Sequence, residues 1–280
     1  MVNKVVVVTG SASGIGRAIA KKVASRASVV LVDLNGEKLV EIEKELTARS
    51  VRVTHIVGDV SSRITQTQAS QAASKLGELI GWVNCAGIGG IFPLHALPES
   101  ERQLFHVWDV NQMGTLWGCA TALEYFTNHK KGGSIVNISS VHGRQAYLDH
   151  ALYEMSKAAV DALTRNIAVV YGPYGIRANS VAPGAVMSEA MIQSLVDAPD
   201  PEGRRQWLED HTPLKRIANP SEIAEVVDFL ISENASYVTG QSIYVDGGWT
   251  SSLGSQMLDN RLAEHYNLDL RTGTPKRMKD

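Results

Sequence analysis

Apolar positions along the chain fall into two alternating patterns. Short runs rich in Val and Ile at 5–8, 29–32, 51–56, 80–84 and 134–138 have the length and branching of strands buried on both faces. Between them, 15–26, 37–49, 62–76 and 99–128 carry apolar residues at helical spacing. The second half continues with a helix over 152–171, a strand over 177–181, a helix over 221–231 and a strand over 242–245. Alternation of this kind predicts parallel strands joined by right-handed crossovers, hence an open, doubly wound sheet with helices on both faces. No repeat or linker divides the chain. A single domain is expected over 1–252, followed by a C-terminal extension over 253–280. Residues 186–213 interrupt the alternation with Pro199, Pro201 and mixed charges. An irregular insertion there, beyond a strand's carboxyl end, is where such folds build a substrate lobe.

The first strand runs into Thr9-Gly10-Ser11-Ala12-Ser13-Gly14-Ile15-Gly16 and then a helix. Gly10 permits the sharp turn, Gly14 lets a pyrophosphate approach the backbone, and Gly16 lets helix and sheet pack closely. Ser13 and Ile15 share that loop, whose free N–H groups suit phosphate oxygens. A glycine triplet alone is weak evidence. Its place between strand and helix marks a Rossmann-type dinucleotide site. Asp33 ends the second strand, where a carboxylate accepts hydrogen bonds from the adenosine ribose and repels a 2′-phosphate. It could also cap the next helix, and both roles can hold at once. The positions that would carry a phosphate-binding cation hold Ser13 and Leu34, and Arg17 already lies inside the helix, so the expected cofactor is NAD. Asp59 and Val60 follow the third strand, and Asn84, Ala86 and Gly87 follow the fourth, where loops would flank adenine and ribose. Each could also be plain turn chemistry.

Tyr153 and Lys157 stand one turn apart near the start of a helix. Opposite charges about 4 Å apart, at an effective dielectric near 20, attract by roughly 4 kcal/mol, which would favour a phenolate. A Tyr four residues before a Lys also arises as surface decoration. Ser140 lies just past the fifth strand, with Ser139 as its rival. Asn111 sits inside a long helix, where Asn has poor propensity, which suggests a kink, a bound water or a satisfied core amide.

Taken in order, Thr-Gly-x-x-x-Gly-Ile-Gly, Asp59-Val60, Asn84-x-Ala86-Gly87, Asn111, Ser140, Tyr153-x-x-x-Lys157, Pro183-Gly184 and the segments 238–241 and 245–248 resemble the short-chain dehydrogenase/reductase family over residues 3–250. The resemblance implies interconversion of a secondary alcohol and a ketone by hydride transfer. Tyr153 would be the acid/base, Lys157 its electrostatic partner and a ligand of the nicotinamide ribose, and Ser140 the group orienting the substrate oxygen. Asn111 would hold a water in a proton relay. Pro183, Gly184, Val186 and Ser188 would border the nicotinamide, with Ser188 where the family often has Thr. Cys85 stands where Asn is commoner. The family is most often tetrameric, with the long helices after the fourth and fifth strands pairing, and Leu104, Trp108, Trp117 and Tyr125 are the apolar surface expected to serve this.

Composition narrows the partners. Apolar residues make up 44% and the net charge is −2, so neither a nucleic acid nor an anionic membrane surface is expected. No run approaches the roughly 18 apolar residues of a membrane span. Two cysteines give no disulfide framework, and a cytoplasmic setting follows as an expectation. The scattered histidines give no metal signature. His142, His150, Arg204, Arg205 and Trp207 are candidates to shape a pocket for a polar small molecule such as a sugar or hydroxy acid, although a solvated face would look the same. Two other readings fit the fold, a non-catalytic NAD-binding regulator and a dehydratase or epimerase. In the extension, Leu258, Leu262 and Tyr266 recur every four residues, so a helix over 255–266 covering the substrate lobe is set against a disordered tail.

Overall fold

In the computed structural model, which describes residues 3–97, 101–252 and 264–269, parallel strands form one seven-stranded sheet in the order β3-β2-β1-β4-β5-β6-β7. The strands are β1 Lys4–Thr9, β2 Ser28–Asp33, β3 Val53–Val57, β4 Glu78–Asn84, β5 Gly133–Ile138, β6 Ile176–Pro183 and β7 Ser242–Val245. Every expected strand is present, with ends shifted by a few residues at most. Period-two alternation divides the valines of β1 between two cores. Val6 and Val8 pack with Ile19 and Val23 of α1 (Gly14–Val23), Leu39, Ile42 and Leu46 of α2 (Gly36–Ala48), and α9 (Pro220–Ile231). Val5 and Val7 face Ala69 and Ala73 of α3 (Arg63–Leu76), Phe126 of α5 (Gly114–Asn128) and Ile167 of α6 (Ala151–Tyr171).

The helix expected over 99–128 is instead α4 (Glu101–Trp108), a π-helical turn over Asp109–Met113, and α5. The widened turn carries Asn111, which is fully buried. Gly114 follows, and a Cβ there would lie 2.8 Å from Cγ2 of Val60. Residues 186–213 are also more ordered than expected, holding α7 (Glu189–Val196) and α8 (Pro201–His211). Their start signals are local. The Ser188 hydroxyl accepts from Met191 N–H, the Asp200 carboxylate accepts from Gly203 N–H, and Pro201 occupies the first turn. Of the expected tail helix, residues 255–263 lie outside the described residues.

Candidate active site

Strand order reverses between β1 and β4, the point at which doubly wound sheets open a crevice at their carboxyl ends. A cleft of about 930 Å³ lies there. Its floor is the glycine turn. Gly10 has φ +66°, and a Cβ on it would come within 2.7 Å of the Ala86 nitrogen, so only glycine allows β1 to turn beneath the loop after β4. Gly16 is fixed for a related reason, since a Cβ there would collide with the Gly10 carbonyl. The start of α1 offers N–H groups to an anion, and a carboxylate meets one of them, because Gly14 N–H donates to Glu189 Oε2 at 2.7 Å. Asp33 accepts from Ala12 N–H and from Asn35 N–H, each at 3.0 Å. The cap of α2 is Asn35, which accepts from Lys38 N–H, so Asp33 braces the glycine turn and does not cap the helix.

At the cleft's centre Lys157 Nζ donates to the Ile138 carbonyl at 2.9 Å and lies 5.5 Å from the centre of the Tyr153 ring. The two serines after β5 divide their work. Ser139 Oγ donates to the Lys157 carbonyl at 3.2 Å, holding α6. Ser140 Oγ accepts from His142 N–H at 3.2 Å, which leaves its proton available to the cleft. Asn111 stands outside the cleft lining. Its Oδ1 accepts from Ile88 N–H at 2.9 Å, and its Nδ2 donates to the Ile88 carbonyl at 2.9 Å and to Ser156 Oγ at 3.0 Å. The π turn thus ties the loop after β4 to the residue preceding Lys157, and of the readings open for Asn111 the satisfied core amide describes its side chain.

A family model described as enoyl-(acyl carrier protein) reductase matches residues 10–250. Diacetyl reductase [(S)-acetoin forming] of Staphylococcus epidermidis is 32% identical over 254 residues, covering 88% of this chain and 98% of that protein. Glucose 1-dehydrogenase 2 of Bacillus subtilis is 34% identical over 257 residues, covering 89% and 96%. The crystal structure of a gluconate 5-dehydrogenase from Burkholderia cenocepacia, in complex with NADP and tartrate, superimposes with a TM-score of 0.81 at 29% identity, covering 90% of this chain and 96% of that one. The chain belongs to the short-chain dehydrogenases/reductases.

As a member of that family, this dehydrogenase/reductase is an oxidoreductase that interconverts a secondary alcohol and a ketone with a nicotinamide cofactor. Gly10, Ser13, Gly14, Ile15, Gly16 and Asp33 line one end of the cleft, together with Asp59, Val60, Ala86 and Gly87. Pro183, Gly184, Val186 and Ser188 also line the cleft, Ser188 against the start of α1 where a Cβ on Gly14 would lie 3.1 Å from its Cβ, and Ser140, Tyr153 and Lys157 complete the lining. Asp59 also serves its own turn, accepting from Ser61 N–H and Oγ at 2.9 and 2.8 Å. Asn84 departs from expectation. Two residues after the buried Trp82, it shares that residue's face of β4 and turns under α5. There it accepts from Trp82 Nε1 at 3.0 Å and donates to Asn137 Oδ1 at 2.8 Å, so its side chain belongs to the core and not to the cleft. Cys85 does reach the lining, and burial pushes its thiol up to about 12.

Around Tyr153 the cleft is lined by aromatic rings. His142 lies 5.8 Å from Tyr153 and 5.9 Å from Tyr147, centroid to centroid, and Tyr147 lies 5.7 Å from Trp207, which meets Trp249 at 5.9 Å. Burial lowers the His142 imidazole below its ordinary value, and the neighbouring His150 lowers it further. The Glu154 carboxylate 3.8 Å away pulls the other way but is too distant to prevail. Tyr147, Trp249 and Glu189 were not singled out from sequence. Tyr147 and Trp249 reach the cleft from segments about a hundred residues apart in the chain. Glu189 carries the one available local signal, standing directly after Ser188. Among the described residues no cluster of three or more His, Cys, Asp or Glu could hold a metal, and no helix is long and apolar enough to cross a membrane.

Proposed function

We propose that the enzyme is NAD-dependent and acts on a polar, hydroxylated small molecule, with Tyr153 as proton donor and acceptor. The observation that carries the cofactor reading is the Asp33 carboxylate at the cleft edge. Each of its oxygens uses one lone pair on the loop and retains another for a ribose hydroxyl. Beside it stands Leu34, exposed and uncharged. Arg17, next to the glycine turn, lies 3.6 Å from Glu45 on α2, and Arg26 pairs with Asp228 of α9 at 2.6 Å. A 2′-phosphate would therefore meet a carboxylate with no cation to offset it. The glycine turn suits the pyrophosphate, as the carboxylate already resting on Gly14 N–H supports.

When bound, the nicotinamide supplies the hydride acceptor or donor. The chain's own groups handle the proton and the geometry. Tyr153 Oη takes the proton of the substrate hydroxyl in oxidation and returns it in reduction. Ser140, its acceptor role filled by His142 N–H, donates to the same substrate oxygen and holds it facing Tyr153. Lys157 is held by Ile138 and, through Ser139, by its own carbonyl, and its ammonium stabilises negative charge on the phenol oxygen. Asn111 positions this group by fixing Ser156 against Ile88. The wall of His142, Tyr147, Trp207 and Trp249 excludes water from one side of the reacting carbon and offers ring faces to C–H groups of a polyol chain. The catalytic unit acts as a homotetramer in the cytoplasm, a reading supported by the two buried or half-buried free thiols and by exposed Phe105, Leu116 and Val169. Steady-state kinetics with NAD and NADP, in a screen of sugars and hydroxy acids, tests the reading. A preference for NADP, or no cofactor reduction with any alcohol, would overturn it.

A further inference from the structure

The charged side chains of the cleft are sorted by sign. Asp33, Asp59 and Glu189 border the end made by the glycine turn, Lys157 stands at the centre, and Arg204 of α8 lines the substrate end. Lys157 is committed to the Ile138 carbonyl. The Arg204 backbone N–H donates to the Asp200 carbonyl, but its side chain has no ion pair or hydrogen bond among the described residues, and no acidic side chain of α8 lines the cleft. Its neighbour Arg205 shows what an outward arginine does on this helix, for it is exposed and pairs with Glu209 at 3.1 Å. Arg204 is half-buried, and Trp207 and Leu208, three and four residues on, line the same cavity. From Trp207 the ring contacts run through Tyr147 and His142 to Tyr153. A guanidinium without a partner among the described residues and the proton-transfer tyrosine thus face one cavity across an aromatic wall.

We propose that Arg204 binds a carboxylate of the substrate, so that the enzyme acts on hydroxy acids and their keto acids in preference to neutral sugars or diols. The planar fork of a guanidinium matches a carboxylate with two parallel charge-assisted hydrogen bonds, and a half-buried site strengthens them. This rests on the reading of the cleft as a dehydrogenase pocket and narrows its substrate class.

The test pairs each acid with a neutral analogue, D-gluconate with D-glucitol and 3-hydroxybutyrate with butane-1,3-diol. Titrated calorimetrically into the NADH-saturated enzyme, these alcohols form complexes that cannot react, so binding is read apart from turnover. At least one acid is expected to bind at least 10-fold more tightly than its neutral partner. Arg204→Gln should weaken that acid about 10- to 100-fold, leave the neutral analogue unchanged, and be partly rescued by Arg204→Lys. Neutral analogues binding as well as acids, no binding of either acid, or acid binding indifferent to Arg204→Gln would each overturn the proposal. Oxidation assays with NAD form a separate arm. If no alcohol is oxidised while Arg204-dependent acid binding persists, the dehydrogenase reading fails and the assignment of Arg204 stands.

Discussion

The Glu189 carboxylate, at the first residue of α7, accepts a hydrogen bond of 2.7 Å from the backbone N–H of Gly14, at the first residue of α1. An internal anion therefore sits at the helix terminus proposed for the cofactor's phosphates, and on that reading the two would compete. Glu189→Gln removes the competing charge while keeping the side chain's size. It should tighten NADH binding by about 3- to 10-fold, as the loss of one charge–dipole contact of about 1 kcal/mol implies. Fluorescence titration of NADH checks this, and an unchanged or weaker affinity would show that the contact does not oppose the cofactor.

Tyr153→Phe removes only the phenol oxygen. Turnover should fall by about 10²- to 10⁴-fold, the usual contribution of a general acid/base, with NADH affinity retained. A variant with near-wild-type kcat would remove Tyr153 from the proton transfer.

Asp33 has two tasks that substitutions can separate. Asp33→Ala should lower kcat/KM for NAD and narrow its advantage over NADP, since ribose hydrogen bonds and phosphate repulsion disappear together. It also frees the Ala12 and Asn35 N–H groups, so the glycine turn should loosen. Asp33→Asn keeps one acceptor oxygen and should lose less NAD activity than Asp33→Ala. Equal losses in the two variants would argue against the bracing role.

His142 gives a pH signature. An unfolded imidazole titrates near 6.5, whereas in the fold burial and His150 lower it against the pull of Glu154. Above that pH both states are neutral and the group has no effect on stability. Below it the unfolded chain takes up a proton that the folded chain resists, so stability falls with pH until the lowered folded value is passed. An imidazole NMR titration should place the His142 midpoint below 6.5. Urea denaturation should show His142→Gln losing less stability than wild type on acidification from pH 6.5. A midpoint at or above 6.5 contradicts the assignment.

The tetramer reading makes a different demand. Tyr125 turns out to be buried, its hydroxyl accepting from Leu79 N–H at 3.2 Å, and Trp117 lies under the Arg63 guanidinium, 4.8 Å from it. Phe105 and Leu116 on α4 and α5, with Met155, Val169 and Val170 on α6, are large exposed apolar side chains of these helices. Light scattering at micromolar concentration should report four chains, and Val169→Asp with Leu116→Asp should lower the mass. A monomeric wild type would end this reading.

The central strands β1 and β2 were legible as short Val-rich runs buried on both sheet faces, the part-buried edge strands β3 and β7 by their β-branched and aromatic residues, and the glycine turn because sterics at Gly10 leave no other residue. Tyr153, Lys157 and Ser140 were legible by their places after β5 and on α6. The direction of Asn84 was harder to read, since its motif position suggested the cleft. The buried Trp82 two residues earlier was the signal that it faces inward. The substrate lobe was misread as irregular because α8 is polar almost all round, burying only Leu208, so it has little periodicity to detect. Contacts such as Tyr147 with Trp207 and Glu189 with Gly14 are set by tertiary packing, which no local window contains.

Asn84 and Asn137 face each other in the register of β4 and β5, and their amides continue to Trp82 and Thr164. The two strands are otherwise largely interchangeable runs of apolar residues, which a hydrophobic driving force alone would pair in several alignments. A slip by one residue would turn one of these amides to the opposite face and break the bond between them, a cost of about 1–3 kcal/mol for each polar group left unmet in a dry interior. The amide pair therefore acts as a proofreading mark, rejecting misaligned sheets before the cleft residues at the strand ends are brought into line.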